Sequence, residues 1–180
     1  NCIVKIKRSI KLGEPERTID LGPPAPIGAE VIRSAIYRYA ESVVAGSGKY
    51  QAVSDILTRS LPRIIGKQAG DTIVGSGSLL HAVSNLNNSY LFIQGPPGAG
   101  KTYTSAHTIV ELIRAGKRIG VTANSHKAIH NLLQKVDAVA TEQGFRFRGV
   151  KKSSANNADS EFDTLNITSI AKIDDINLSS

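Results

Sequence analysis

Near the middle of the chain stands the octapeptide Gly95-Pro96-Pro97-Gly98-Ala99-Gly100-Lys101-Thr102. It fits the pattern G-x-x-x-x-G-K-[ST], which is the phosphate-binding loop of nucleoside triphosphatases. Residues 89–94 before it read as a short buried strand, and residues 101–114 after it read as a helix with one apolar face. Because a strand, a glycine-rich turn and a helix are the context in which this loop binds phosphate, the octapeptide predicts a nucleotide-binding α/β domain.

The residue types in the loop assign a role to each position. Glycines lack a Cβ, so the backbone can turn sharply and its N–H groups can approach a phosphate. Lys101 is predicted to bind the β- and γ-phosphates of ATP, and the Thr102 hydroxyl is predicted to ligate Mg²⁺, so both are candidate catalytic residues. The candidate nucleotide-binding residues are Gly95, Pro96, Pro97, Gly98, Ala99, Gly100, Lys101, Thr102 and Tyr103.

Length and composition limit the number of domains and the cellular compartment that we expect for this protein. The chain has 180 residues, of which 41% are hydrophobic, and this suits one domain or slightly more. Neither an apolar run of about 18 residues nor a signal peptide is visible, which predicts no membrane span. The single cysteine predicts a reducing compartment, the cytoplasm. Because the first residue is Asn1 within an alternating stretch, we expect the chain to be a piece of a longer protein.

The net charge of +7 is unevenly distributed. Residues 101–152 hold 10 basic and 3 acidic residues, an excess of +7, whereas residues 153–180 hold 1 basic and 5 acidic residues, an excess of −4. The positive segment ends with Arg146, Arg148, Lys151 and Lys152. A basic face beside a nucleotide site indicates a polyanion partner, although a solvated surface without a partner explains the same charges.

The order of the predicted elements indicates two parts. Residues 1–85 read as an accessory segment with one strand at 2–8 and helices at 29–44, 50–61 and 78–86. Residues 86–180 read as the N-terminal part of an α/β domain. Further strands are predicted at 117–123, 145–150 and 167–173, and a helix is predicted after Asn124. Strands that alternate with helices indicate a parallel sheet, here an incomplete one.

A second motif follows the predicted strand 117–123. It places Asn124, Ser125, His126 and Lys127 at the carboxyl end of the strand, where α/β sheets bind ligands. Small polar side chains and free helix amides suit the phosphates of a nucleic-acid strand, so these four residues are candidate DNA contacts. An ordinary capped helix, with Asn124 as its N-cap and with His126, Lys127 and His130 simply exposed, is the alternative interpretation.

Together the two motifs resemble those of superfamily 1 helicases, and most closely those of bacterial proteins that fuse a RecB-like nuclease to such a helicase. The resemblance rests on residues 94–102 and on Thr122-Ala123-Asn124-Ser125-His126-Lys127-Ala128-Ile129. It implies a RecA-like P-loop motor that couples ATP hydrolysis to movement along single-stranded nucleic acid, with DNA favoured over RNA. Residues 95–102 then correspond to the first helicase motif, and residues 123–127 correspond to motif Ia, which contacts the DNA backbone.

The sequence departs from the helicase pattern in two respects. Leu79 stands where these helicases carry a glutamine that reads adenine, and no Asp-Glu-Ala motif follows within the chain. We therefore expect the chain by itself to bind nucleotide but to hydrolyse it negligibly, and we expect the remaining catalytic groups, and any nuclease, in a covalently linked remainder. An AAA+ ring ATPase and a non-catalytic nucleotide-binding module are the two alternative functions.

Overall fold

The computed structural model describes residues 28–73, 78–154 and 157–171. The chain divides into two compact units, residues 1–49 and residues 50–180. In the first unit, helix α1 spans Glu30–Val44, which confirms the helix predicted at 29–44. The strand predicted at residues 2–8 lies outside the described residues.

The second unit contains four helices and a small sheet among its described residues. Strands β1 and β2 pair in parallel, with Gly149 opposite Ile167 and Lys152 opposite Ile170. The alternation of helix and strand confirms a mixed α/β unit with parallel strand pairing. In chain order the elements are α2 (Gln51–Thr58), α3 (Ser78–Ser84), α4 (Lys101–Arg114), α5 (His126–Glu142), β1 (Gly149–Lys152), a 3₁₀ turn (Ala158–Ser160) and β2 (Ile167–Ile170).

The prediction of buried strands at residues 89–94 and 117–123 was wrong. Neither segment enters the sheet formed by the described residues, which contains β1 and β2 alone. Phe92 is 77% exposed, Ile93 is 46% exposed and Ile119 is 37% exposed. A strand requires a neighbouring backbone to accept and donate its hydrogen bonds, and the described residues supply none for these two segments. Their apolar composition was visible in the sequence, but a pairing partner was not.

Helices α4 and α5 form the main apolar core. Ala106 and Val110 of α4 meet a row of α5 side chains at helical spacing, as the apolar stripes predicted. Phe145 and Phe147, which follow α5, pack against the same cluster. The buried α5 members are Val136, Val139 and Ala140.

The two core helices run in the same direction. Lys135 of α5 lies over the ring of Tyr103 in the first turn of α4, with Nζ 5.3 Å from the ring centroid. At the far end of α4, the Arg114 guanidinium donates to Gln143 just beyond α5, at 2.6 Å. Because both helices advance together, their N-terminal ends point toward the same edge of the unit.

An ion pair with a buried carboxylate joins α2 to the segment that leads into the phosphate-binding loop. Asp55 is 2% exposed, and its carboxylate lies 2.8 Å from the Arg63 guanidinium. The carboxylate also accepts hydrogen bonds from Gln51 Nε2 and Ser89 Oγ, both at 3.0 Å. Arg63 in turn donates to the backbone carbonyl of Asn88 at 2.9 Å. A full set of partners allows a charged carboxylate to be buried here.

None of the helices among the described residues is long and apolar enough to cross a membrane.

Candidate functional site

The phosphate-binding loop ends in a residue that only glycine occupies without strain. Gly100 has φ +75°, in the left-handed region, and forms the N-cap of α4. Its carbonyl accepts the first helical hydrogen bond, from Thr104 N at 2.9 Å. No side chain caps this end of α4. The N–H groups of the first turn and the positive end of the helix dipole are therefore available to bind an anion.

Close packing inside the loop explains the glycine at its first position. A Cβ built on Gly95 would lie 3.3 Å from the Ala99 methyl group and 3.7 Å from the Lys101 side chain. Ala99 N donates to Pro96 O at 3.2 Å and closes the turn between these residues. The loop thus folds tightly enough for the Lys101 side chain to lie across it.

The Lys101 ammonium group contacts the carbonyl oxygens of its own loop. Its Nζ donates to Gly95 O at 2.5 Å and to Pro96 O at 2.8 Å. These are hydrogen bonds to neutral acceptors, and phosphate oxygens are stronger acceptors because they carry charge. The lysine is thus positioned at the loop and can exchange its carbonyl partners for a triphosphate.

Thr102 and Tyr103 occupy the first turn of α4. The Thr102 side chain is exposed, and its hydroxyl is an oxygen ligand of the kind that Mg²⁺ accepts. The described residues contain no group of three His, Cys, Asp or Glu side chains that could hold a metal alone. A Mg²⁺ ion held by Thr102 would need nucleotide phosphates as further ligands. The Tyr103 ring lies 4.3 Å from the His107 ring and beneath Lys135.

The residues of the second motif form the start of α5. Ser125 is the N-cap, and its Oγ accepts a hydrogen bond from Ala128 N at 3.2 Å. The prediction that Asn124 caps this helix was therefore wrong by one residue. Asn124 and Lys127 are both exposed. Of the four candidate DNA contacts, Ser125 has a structural role, whereas Asn124 and Lys127 extend into solvent.

The fourth candidate, His126, contacts a buried lysine that sequence reasoning assigned to the basic surface. Lys151 on β1 is only 4% exposed. Its Nζ donates to Ser160 O at 2.5 Å and to Lys152 O at 3.0 Å, and it lies 3.0 Å from His126 Nδ1. Burial lowers the pKa of Lys151, since the protein interior disfavours its charged form. Lys151 is therefore not part of an exposed basic face.

A signal for the burial of Lys151 was present in the sequence. Phe145, Phe147, Gly149 and Lys151 alternate with Arg146, Arg148 and Val150, and alternate residues of a strand share a face. The two phenylalanines pack against the core, and the alternation places Lys151 on the same inward face. The predicted strand ended at residue 150, whereas β1 spans Gly149–Lys152. Because the predicted strand stopped one residue before Lys151, the alternation was not extended to this lysine.

Comparison with protein families identifies the class of domain that carries this loop. The model of the family AAA_11, described as an AAA domain, matches residues 77–167. The match spans half of the chain and includes both the phosphate-binding loop and the start of α5. The chain belongs to this family, whose members are AAA domains of the superfamily 1 helicase type. Searches of curated proteins and of solved structures each found no significant match.

Membership in this family implies an ATPase of the helicase type and nucleic-acid partners in general. Domains of this type bind ATP with Mg²⁺. The position of the loop at the N-terminus of α4 is consistent with that chemistry.

Proposed function

We propose that this chain is the ATP-binding part of a motor that hydrolyses ATP and moves along single-stranded DNA. The observation that carries the proposal is the common direction of α4 and α5. One helix begins at the phosphate-binding loop and the other begins at Asn124–Lys127, and both N-termini face the same edge of the unit. A nucleotide at one helix and a DNA strand at the other could then influence each other through a shared core.

Several finer features belong to this proposal. The motor is of the RecA-like kind, and it is linked to a RecB-like nuclease in the parent protein. Residues 1–85 form its accessory segment, and residues 86–180 form the first part of its ATPase domain. ATP binds along residues 95–103, with Lys101 at the β- and γ-phosphates and Thr102 at Mg²⁺. The DNA backbone passes Asn124, Ser125, His126 and Lys127, and the protein acts in the cytoplasm.

The alternatives predict different behaviour. An AAA+ ring ATPase would assemble into closed oligomers and would need no DNA strand at the start of α5. A non-catalytic nucleotide-binding module would bind ATP without any response to DNA. The exposed Asn124 and Lys127 lie at the N-terminal end of a helix that runs in the same direction as α4, and this favours the motor over both.

Lys127→Ala tests the DNA contact. If the Lys127 ammonium group neutralises a phosphate, its loss weakens binding of single-stranded oligonucleotides and lowers the slope of log K against log salt by about one. We expect a loss of affinity of about 3- to 10-fold near physiological salt, independent of base sequence. Fluorescence titrations of labelled oligonucleotides at four salt concentrations measure both quantities.

Lys117→Ala is the matched control for this experiment. Lys117 is also exposed, but it follows the C-terminal end of α4, at the edge opposite to the phosphate-binding loop. The Lys117→Ala substitution removes the same charge as Lys127→Ala and should leave the slope of log K against log salt nearly unchanged. Equal effects of the two variants would mean that net charge alone attracts DNA, and the assignment of the contact to α5 would be wrong.

Leu79 predicts poor discrimination among nucleotides. The residue lies on α3, at the place where helicases of this type carry an adenine-reading glutamine, and leucine cannot accept or donate the hydrogen bonds that distinguish the bases. We expect GTP and CTP to compete with ATP within about 10-fold, and Leu79→Gln to increase the preference for ATP. Competition titrations measure this, and a preference of the unmodified chain above about 100-fold, roughly 2.7 kcal/mol, would show that another residue reads the base.

A further inference from the structure

His126 is held from two sides at the first position of α5. Lys151 Nζ lies 3.0 Å from its Nδ1 atom, and Ser154 Oγ lies 3.4 Å from its Nε2 atom. Both partners come from β1 and the residues just after it, 25 and 28 positions along the chain. The imidazole also lies near the His130 ring, at 6.2 Å between centroids.

The hydrogen-bond chemistry of Lys151 selects one form of the imidazole. A lysine ammonium group has three donors and no acceptor. Two of its donors are used by the carbonyl oxygens of Ser160 and Lys152, and the third faces His126 Nδ1. While Lys151 is charged, Nδ1 therefore accepts this hydrogen bond, which places the proton of the neutral ring on Nε2.

Among the residues that the structure describes, the Nε2–H group has one acceptor, and it is a weak one. Its distance of 3.4 Å to Ser154 Oγ exceeds the usual range of about 2.7–3.2 Å for an N–H donor and an oxygen. A phosphate oxygen is a stronger acceptor, because its charge shortens and strengthens the hydrogen bond. The donor at the first turn of α5 can therefore exchange the serine hydroxyl for a phosphate.

We propose that Lys151 is a positioning residue that acts through His126, fixing the imidazole as the Nε2–H form that donates to a phosphate of the bound nucleic acid. The inference rests on the proposed function, since it assumes that the DNA backbone passes the start of α5. Lys151 does not contact the DNA itself, because it is 4% exposed and its three donors are engaged. One buried cation thus contributes to an interface that it cannot reach.

Nuclear magnetic resonance tests the first half of the proposal on the unmodified chain. The ¹⁵N shifts of the His126 ring at pH 8 distinguish a protonated Nε2 from a protonated Nδ1. We expect the Nε2–H form alone in the unmodified chain and a mixture of both forms in Lys151→Met. Lys152→Met removes the same charge at the exposed neighbour and should leave the His126 ring shifts unchanged. A protonated Nδ1 in the unmodified chain would overturn the proposal, whether or not any variant folds.

A double-mutant cycle tests the second half. His126→Ala and Lys151→Met should each weaken binding of a single-stranded oligonucleotide by about 3- to 10-fold, and the double variant should bind no more weakly than His126→Ala alone. The salt slope should stay unchanged in Lys151→Met, because no phosphate contact of Lys151 is lost. Lys151→Gln keeps an amide group with two N–H donors and should retain part of the affinity.

The outcomes separate this inference from the proposed function. If His126→Ala and Lys127→Ala both leave DNA affinity unchanged, the start of α5 is not a DNA contact and the proposed function fails. If His126→Ala weakens binding but Lys151→Met does not, or if their effects add independently, the DNA contact stands and the role of Lys151 is wrong.

Discussion

Replacement of Lys101 by alanine is expected to weaken binding of Mg·ATP by about 30-fold, roughly 2 kcal/mol. Lys101 supplies the one side-chain cation of residues 95–102, and its Nζ already lies at the loop through contacts with Gly95 O and Pro96 O. Without it, the backbone N–H groups and the dipole of α4 remain, so binding weakens but is not abolished. Isothermal titration calorimetry of the 180-residue chain measures the loss.

Two controls make the Lys101 result interpretable. Lys117→Ala removes an equal charge beyond the other end of α4 and should bind Mg·ATP as tightly as the unmodified chain. Thermal unfolding of Lys101→Ala should match that of the unmodified chain, because the carbonyls of Gly95 and Pro96 can bind water once the ammonium group is gone. Unchanged affinity in Lys101→Ala would contradict the assignment of residues 95–102 as the phosphate site.

The second large effect is expected at the ion pair between Asp55 and Arg63 rather than at the site. Arg63→Met leaves the Asp55 carboxylate buried without its main partner and removes the hydrogen bond to Asn88 O. A buried carboxylate that loses its charged partner is destabilised even though Gln51 and Ser89 still donate to it, so we expect the melting temperature to fall by about 5 °C. Arg59→Met is the matched control, since Arg59 follows the same helix and is exposed. Circular dichroism melting measures both, and equal small shifts would contradict a stabilising role of the pair.

The same carboxylate predicts a dependence of stability on pH. Hydrogen bonds from Arg63, then Gln51 and Ser89, hold the pKa of Asp55 below its ordinary value of 3.8, against the opposing effect of burial. The unfolded chain therefore takes up the proton first as pH falls. The stabilisation is fully present above pH 3.8 and is lost as pH falls through the lower folded value. The melting temperatures of the unmodified chain and of Asp55→Asn should converge below this pH.

The helices of the second unit follow from local sequence alone. Gly100 adopts the left-handed backbone that ends the loop, and the apolar stripes of α4 and α5 repeat at the spacing that places them on one face. Such signals lie within one or two helical turns, so no knowledge of distant residues is needed. The glycine-rich turn before α4 and the two core helices could therefore be predicted before the structure, and the resemblance of two motifs predicted a helicase-type domain.

Only the tertiary structure determines which residues that are distant in sequence pair or form hydrogen bonds with each other. Residues 89–94 and 117–123 have the composition of strands, but a strand exists only where another backbone pairs with it. Asp55 and Ser89 are 34 positions apart, and Lys151 and His126 are 25 positions apart, yet each pair is in hydrogen-bond contact. The charge of Lys151 indicated an exposed cation, and its position on the inward face of β1 made it a buried one. Local sequence determines which segments form helices and where the glycine-rich turn lies. The burial of a side chain and the pairing of a strand depend on which distant residues the rest of the chain brings into contact.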